Sequence, residues 1–403
     1  MLATDTQAIL LLCANFGQNR PTEPSPLTLS EYNSLASWLR QQQLTPADLL
    51  DRSLQEKLPD ITIAKLDSGR LFSLLNRGFL LGLTLEKWLN QGLWIIGRGE
   101  DIYPQRLKQK LKHLAPPIIY GIGDRLLLSL AGLAIIGSRD VDAEGLNYTR
   151  QVAQECAKNG LQVISGGAQG VDRTAMLASL EAGGTVLGVL ADSLVKTAVR
   201  GDYRPLIQQR KLTLISTHDP EAGFSVGNAM GRNKYIYALA DHALVVSATA
   251  NQGGTWHGAT EALEKIKDIP VFVRLQGNIP DGNQQLIKRG AKPFPVFPFR
   301  DSLDKLLTET RAILNKNEPV MAVPNEKTSI YEAVLPIILE HLNTPQNLKS
   351  LVADLGVNKS QLQNWLEMAV KDGKVVKKNN KRSVTYEIEH SQNLLSLLES
   401  SQQ

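Results

Sequence analysis

The sequence predicts an α/β protein: a mostly parallel sheet with helices on both faces, preceded by a helical module and followed by a winged-helix domain. Three observations carry this reading. From Leu133 onward, short apolar runs alternate with helical periods, the order of a parallel sheet joined by crossover helices. Those runs are apolar at nearly every position, as strands covered on both faces must be. The C-terminal part instead gives three short helices and a hairpin.

Residues 1–100 read as a helical module of the SAM or helix-hairpin-helix type. Leu27–Gln42 spaces Leu29, Tyr32, Leu35, Ala36 and Leu39 along one helical face, with Ser30 as candidate cap and Pro21, Pro24 and Pro26 ahead of it. Thr45-Pro46-Ala47-Asp48 opens a further helix, and Gly78, Gly82 and Gly92 punctuate the rest. The core is expected over 101–300, with strands at Leu133–Ile136, Leu161–Ser165, Thr185–Leu190, Leu212–Ser216, Ala243–Ser247 and Val271–Arg274. Between the first two, Glu144–Asn159 sets Val152, Ala153, Cys156 and Ala157 on one side, and Gly160 falls where a left-handed C-cap belongs. Residues 301–328 read as a linker, with one short helix over Ser302–Asn315. Over 329–390 the pattern gives helices at Ile330–Leu342, Leu348–Leu355 and Lys359–Lys371. Strands Lys374–Lys378 and Ser383–Ile388 then pair around Asn379-Asn380.

Composition narrows the function. With 42% hydrophobic and 21% charged residues in 403, the chain is of globular type. Its apolar runs, such as Ala8–Ala14 and Leu126–Ile136, fall short of the ~18 residues of a membrane span. Asp5 stands where a secretory signal carries positive charge, so a cytoplasmic protein is expected. Cys13 and Cys156 are far apart and form no CxxC, which leaves thiols. The histidines lack ligand spacing, and the chain has no GxGxxG, GxxxxGK[ST] or GxSxG. No metal, cofactor or catalytic group is therefore expected.

In open parallel sheets ligands bind beyond the carboxyl ends of the strands. The first strand ends in Gly137-Ser138-Arg139-Asp140 and the second in Ser165-Gly166-Gly167-Ala168-Gln169-Gly170-Val171-Asp172; the fifth leads to Gly253-Gly254-Thr255, and Gly231-Arg232-Asn233-Lys234 precedes a helix. Any one such loop is most simply a tight turn. Three of them, each at a helix start where backbone N–H groups and the helix dipole attract anions, predict a phosphate-binding rim. Its candidates are Gly137, Ser138, Arg139, Ser165, Gly166, Gly167, Gly170, Arg232, Asn233, Lys234, Gly253, Gly254 and Thr255, with Arg139, Arg232 and Lys234 as cations. Asp172 reads as a capping or loop-ordering carboxylate. In the C-terminal domain Lys371–Arg382 holds six basic residues against Asp372. Lys359, Lys371, Lys374, Lys377, Lys378, Lys381 and Arg382 are candidate DNA phosphate contacts there, with a basic hairpin that meets protein as the equal alternative.

Taken in order, these motifs resemble the DNA-processing protein A family (DprA/Smf) over roughly Tyr103–Ala291. The resemblance includes Tyr103-Pro104, Pro116-Pro117, Ile136-Gly137-Ser138-Arg139, the Ser165–Asp172 loop, Gly231-Arg232-Asn233-Lys234, Gly253-Gly254-Thr255 with Ala259 and Ala262, and Gly282-Asn283 through Gly290-Ala291. It implies a Rossmann-like core that binds single-stranded DNA on the rim, dimerises, protects incoming strands during natural transformation and helps load the recombinase RecA, without enzymatic activity. Departures from the family pattern are Ser247-Ala248 in place of an acidic residue, Met176 in place of His, Ala191-Asp192-Ser193-Leu194 in place of Gly-x-Asp, Lys234 in place of Arg, and Asn228-Ala229-Met230 without Phe-Pro. Two alternatives use the same fold: a nucleotide-binding sensor, or a nucleoside-monophosphate phosphoribohydrolase resembling the lonely-guy enzymes, for which Glu261 stands at the wrong spacing from Thr255. Aromatic content is 5%, so base stacking is expected to be minor unless Tyr203, Tyr235 or Tyr237 faces the groove; Tyr235 and Tyr237 are expected in the core.

Overall fold

A computed structural model describes residues 2–16, 24–56, 66–266, 268–303, 305–307, 309, 330–342, 344–380 and 383–388. It divides into two compact units, Met1–Leu314 and Asn315–Gln403.

The first unit is built on a nine-stranded sheet: β1 (Trp94–Gly97), β2 (Ile118–Ile122), β3 (Gly132–Gly137), β4 (Gln162–Ser165), β5 (Val186–Leu190), β6 (Leu212–Ser216), β7 (His242–Ser247), β8 (Val271–Val273) and β9 (Lys292–Pro293). The order is β1-β2-β6-β5-β4-β3-β7-β8-β9. All six strands read from the sequence are present and pair in parallel. β1 and β2 add an antiparallel edge, β2 against β6 and β1 against β2. These two escape the sequence pattern because Trp94-Ile95-Ile96 and Ile118-Ile119-Tyr120 are too short to show a period. β3 has β4 on one side and β7 on the other. The chain winds outward through β4, β5 and β6 before returning to β7, so the carboxyl ends of β3 and β7 form the topological switch point where such sheets bind ligands.

Apolar side chains line both faces of the sheet. On one face Leu133, Ile135, Val163 and Leu244 join a core that also takes in Leu10, Leu12, Leu35, Leu74 and Trp88 from the helices before β1. The opposite face packs Ile136, Ile164 and Val245 against Ile236, Tyr237 and Ala259. The segment over 1–100 thus shares its core with the sheet and contributes β1 to it. Helix Thr4–Cys13 carries the uninterrupted run Ala8–Leu12, all of it buried. Buried Arg77 donates from Nη2 to the Leu11 and Ala14 carbonyls, satisfying the helix end.

Helix Leu29–Gln41 is capped by Thr28, in place of the expected Ser30. Thr28 Oγ1 accepts from Glu31 N (3.3 Å) and Glu31 Oε2 from Thr28 N (2.7 Å), a reciprocal pair that needs a hydroxyl residue three positions before the Glu, where Thr28 stands and Ser30 does not. Helix Ala143–Lys158 starts on Asp142, whose Oδ1 accepts from Gly145 N (2.7 Å), and is followed by Gly160 at φ +66° as expected.

In the second unit, helices Ile330–His341, Leu348–Leu355 and Lys359–Lys371 precede strands Val375–Asn380 and Ser383–Ile388, and the two-residue strand Gln346–Asn347 completes a three-stranded sheet. Tyr331, Leu335, Leu351, Leu366, Val375 and Tyr386 form its own core. Asn379 and Asn380 pair with Val384 and Ser383. They extend the strand and are not the bend expected of them, because the ladder continues in register through both. Lys381, Arg382 and most of the expected linker over 301–328 lie outside the described residues.

Candidate nucleic-acid interface

An open cleft of about 530 Å³ lies at the switch point. One wall is the turn after β3, Gly137 to Arg139; another is the turn after β7, Thr249 to Thr255; the third is the start of helix Val226–Leu239. A second cleft of about 400 Å³ adjoins it beyond Arg139 and Phe224 and runs over Gly166–Gln169 to Arg173 and Arg200.

Close packing dictates the glycines. Helix Val171–Glu181 abuts the end of β3 so tightly that a Cβ on Gly137 would lie 2.4 Å from Val171 Cγ2. Gly170 has φ +83°, and a Cβ there would lie 2.5 Å from the Ser138 carbonyl oxygen and 2.6 Å from that of Arg139. Backbone cannot yield as a side chain can, so only glycine fits. Gly167, at φ +71°, completes the turn.

Within the Gly166–Gly170 loop the seat for an anion is taken by the chain itself. The Asp172 carboxylate is buried and accepts from Gly137 N (3.4 Å) and Gly166 N (3.2 Å). Burial pushes its pKa up to about 6, against the opposing pull of Arg232 and of the Gly137, Gly166 and Ala168 amides. Arg232 is only 5% exposed. Its Nη1 donates to the Gly166 carbonyl (2.6 Å) and to that of Val189. Burial lowers its pKa and Asp172 opposes that shift. Arg232 and Asp172 thus clamp the loop from its carbonyl side and its amide side. The expected loop-ordering role of Asp172 is the one the geometry supports, and Arg232 lines both clefts as a brace that carries charge.

Other expected contacts are also internal. Ser165 is buried and its Oγ donates to the Ile135 carbonyl (2.6 Å). Ser138 N donates to the Ser247 carbonyl (2.8 Å), which leaves its hydroxyl beside the cleft, accepting from Asp140 N (3.2 Å). Asn233 Nδ2 donates to the Gly254 carbonyl (2.9 Å) and so ties two cleft walls together. Lys234 departs from expectation: it lines neither cleft, and its Nζ sits 5.1 Å from the Tyr235 ring centroid. One residue beyond Asn233 on the same helix, it is rotated about 100° away from the cleft. Burial lowers its pKa, and Glu261 is the charge that opposes this.

Two features remain open to a ligand. Helix Gly253–Lys265 begins without a side-chain cap, as Gly253, Gly254 and Thr255 line the cleft. Uncapped first-turn amides together with the helix dipole form a seat for a phosphate. Across the cleft Arg139 is exposed, its guanidinium 5.0 Å from the ring centroid of Phe224. Phe224 is itself 53% exposed and, with Val226 and Met230, gives the cleft an apolar wall. Sequence reasoning missed this wall. Tyr203, Tyr235 and Tyr237 are all buried, while Phe224 sits in Gly223-Phe224-Ser225, where an isolated aromatic among turn residues is the only signal.

In the second unit Lys359, Lys371, Lys374, Lys377 and Lys378 are exposed, and Lys378 pairs with Glu387. Lys359 and Lys371 lie at opposite ends of one helix, about 18 Å apart at 1.5 Å per residue, so the basic residues are spread over the unit.

A family model described as DNA recombination-mediator protein A matches residues 94–304. The DNA processing protein DprA of Bacillus subtilis is 28% identical over 215 residues, covering 52% of this chain and 70% of the relative. That of Streptococcus pneumoniae is 29% identical over 197 residues, covering 48% and 68%. Protein Smf of Escherichia coli is 29% identical over 209 residues, covering 51% and 55%. The X-ray structure of DprA from Streptococcus pneumoniae superposes with a TM-score of 0.54 at 21% identity, over 70% of this chain and 93% of that one. With its sheet order, its glycine turns and a match over more than half its length, the chain belongs to the DNA recombination-mediator protein A family.

Proposed function

We propose that this chain binds single-stranded DNA in the open cleft at the ends of β3 and β7, with phosphate on the Gly253–Thr255 helix start and Arg139, and a base against Phe224. The juxtaposition of an uncapped helix start with an exposed Arg–Phe pair carries this reading, because it offers a nucleotide both of its seats side by side. Phosphate contacts dominate such binding, so affinity falls steeply with salt and shows little sequence preference. Within the family's role in recombination, the chain would act in the cytosol as a homodimer that shields incoming strands and helps load RecA. Among the described residues no helix is long and apolar enough to cross a membrane. The second unit, read as a winged helix, would supply an additional contact through Lys359, Lys371, Lys374, Lys377, Lys378, Lys381 and Arg382.

The phosphoribohydrolase alternative finds no support at Glu261, which pairs with Lys265 (3.2 Å) and does not line the cleft. Fluorescence anisotropy with single-stranded and duplex DNA at two salt concentrations tests the proposal, using wild type, Arg139→Ala and a truncation after Asn325. Tight single-strand binding weakened by Arg139→Ala and kept by the truncation is expected. Absence of single-strand preference, or binding lost only with the tail, overturns it.

A further inference from the structure

A third cleft, of about 720 Å³, opens between the N-terminal helices and the β1 end of the sheet. β1 runs antiparallel to β2 and β2 antiparallel to β6, so β1 points the same way as the parallel strands. Its carboxyl end, followed by Arg98, therefore lies on the sheet edge that carries the glycine turns. From β3 to β1 there are five strand intervals, or about 24 Å at ~4.8 Å each.

Four cations from three parts of the chain line this cleft: Arg40 from helix Leu29–Gln41, Arg98 after β1, and Lys108 and Lys112 in and at the end of helix Gln105–Leu111. Asp5 also lines it, and its Oδ1 accepts from Ala47 N (2.8 Å). Arg98 is fixed by neutral groups: Nη1 donates to Asn33 Oδ1 (2.9 Å) and the Ala115 carbonyl (3.1 Å), and the guanidinium lies 5.0 Å from the Tyr32 ring centroid. Lys108 Nζ likewise rests 5.4 Å from the Tyr103 ring centroid. Among the described residues none of the four cations takes part in an ion pair. With Asp5 as the one carboxylate among the lining residues, the four cations leave the cleft lining net positive. Between Arg139 and Arg98 the segments after β4, β5 and β6 carry Arg173, Lys196 and Arg200 against Asp192, Asp202, Asp219 and Glu221. Opposing charges there leave two cationic seats with a nearly neutral stretch between them.

We propose that the Arg40–Arg98–Lys108–Lys112 cleft is a second phosphate-binding seat, which takes a farther segment of the single strand held at the rim. The inference rests on the single-strand reading of the rim. Position on the same sheet edge favours one continuous strand over a separate small anion, and the spread of the cations over three elements suits a backbone. Nucleotides rise ~3.4 Å each when stacked and span up to about twice that when unstacked, so three cover at most about 20 Å and twenty at least about 68 Å; only the longer strand reaches both clefts.

The test is anisotropy with oligothymidylates of about three and about twenty nucleotides, comparing the full-length wild type with Arg40→Gln/Lys108→Gln/Lys112→Gln, whose folding is checked by urea unfolding. The variant is expected to lose at least tenfold in affinity for the long strand at low salt and to show a salt slope shallower by about 2, at ~0.7 per phosphate contact, while binding the short strand as wild type does. Equal long-strand affinity in variant and wild type overturns this inference and leaves the rim reading standing. So does an equal loss for both lengths, which would make the cleft part of the first seat. If wild type binds neither strand, the rim reading and this one fall together.

Discussion

Replacing Arg232 with alanine removes a guanidinium that is 5% exposed and braces the carbonyls of Gly166 and Val189 through Nη1. Each buried carbonyl left without a partner costs about 1–3 kcal/mol. Asp172 also loses the nearest charge that offsets its burial. Because Arg232 borders both clefts, water entering the vacated space recovers part of that cost. The expected loss is about 2–4 kcal/mol of unfolding free energy, read by urea titration. Arg139→Ala is the contrast: the side chain is exposed, and surface changes of this kind stay within about 0.5 kcal/mol. Its effect belongs in binding, as a shallower salt slope by about 0.7 for one lost single-strand phosphate contact. The assay is urea unfolding and salt-dependent anisotropy on both variants. If Arg232→Ala unfolds like wild type while its salt slope drops as that of Arg139→Ala does, Arg232 is a free phosphate ligand and the brace reading is wrong.

Asp172 should give stability a distinct pH dependence. Its folded pKa of about 6 lies above the ordinary carboxylate value of 3.8, so the folded state holds the proton more tightly. Stability from this group is full below pH ~4 and is lost as pH rises through about 6, by roughly 3 kcal/mol; the difference between wild type and Asp172→Asn, followed by urea unfolding from pH 4 to 7, should fall over that window, and a flat difference refutes the assignment. Gly170→Ala, whose Cβ would strike two backbone oxygens, should unfold more readily and bind single strands more weakly. Gly160→Ala, at φ +66° in open space, should cost only about 1 kcal/mol and leave binding intact. Phe224→Ala should keep wild-type stability and lose about 1–3 kcal/mol of single-strand affinity, with Phe224→Trp restoring it; an unchanged affinity removes the base from this wall.

What was legible in the sequence follows from which interactions leave a local pattern. Strands buried on both faces write continuous apolar runs, and the six at β3 to β8 were readable for that reason, as was Gly160 behind its helix. Thr28 as cap was hidden by Ser30, because two hydroxyl residues stand within one turn and only Glu31 decides between them. At the site, residue type marked the glycine turns that line the clefts but not what fills their amides. Gly137 and Gly166 donate to Asp172, a partner 35 and 6 residues away whose position depends on the packing of a helix against β3. Arg139 and Arg232 look alike as letters; one is exposed and the other enclosed because the latter lies on the inward side of helix Val226–Leu239.

The same division explains why departures from the family pattern need not abolish binding. Met176, where the family carries histidine, is buried, with its sulfur 3.9 Å from where a Cβ on Gly167 would stand, so this position supports the turn from below. Lys234 faces away from the cleft, so its exchange for arginine leaves the ligand-facing surface unaltered. In the proposed mode a strand would face one helix start, one exposed arginine and an apolar wall, and the first of these is backbone. Backbone amides hold phosphate whatever side chains surround them, provided the turns keep their shape. Shape here depends on Asp172 and Arg232 clamping the loop and on Asn233 tying two walls together. Substitutions at those three positions should therefore weaken binding through folding, whereas substitutions at Arg139 and Phe224 should weaken it directly.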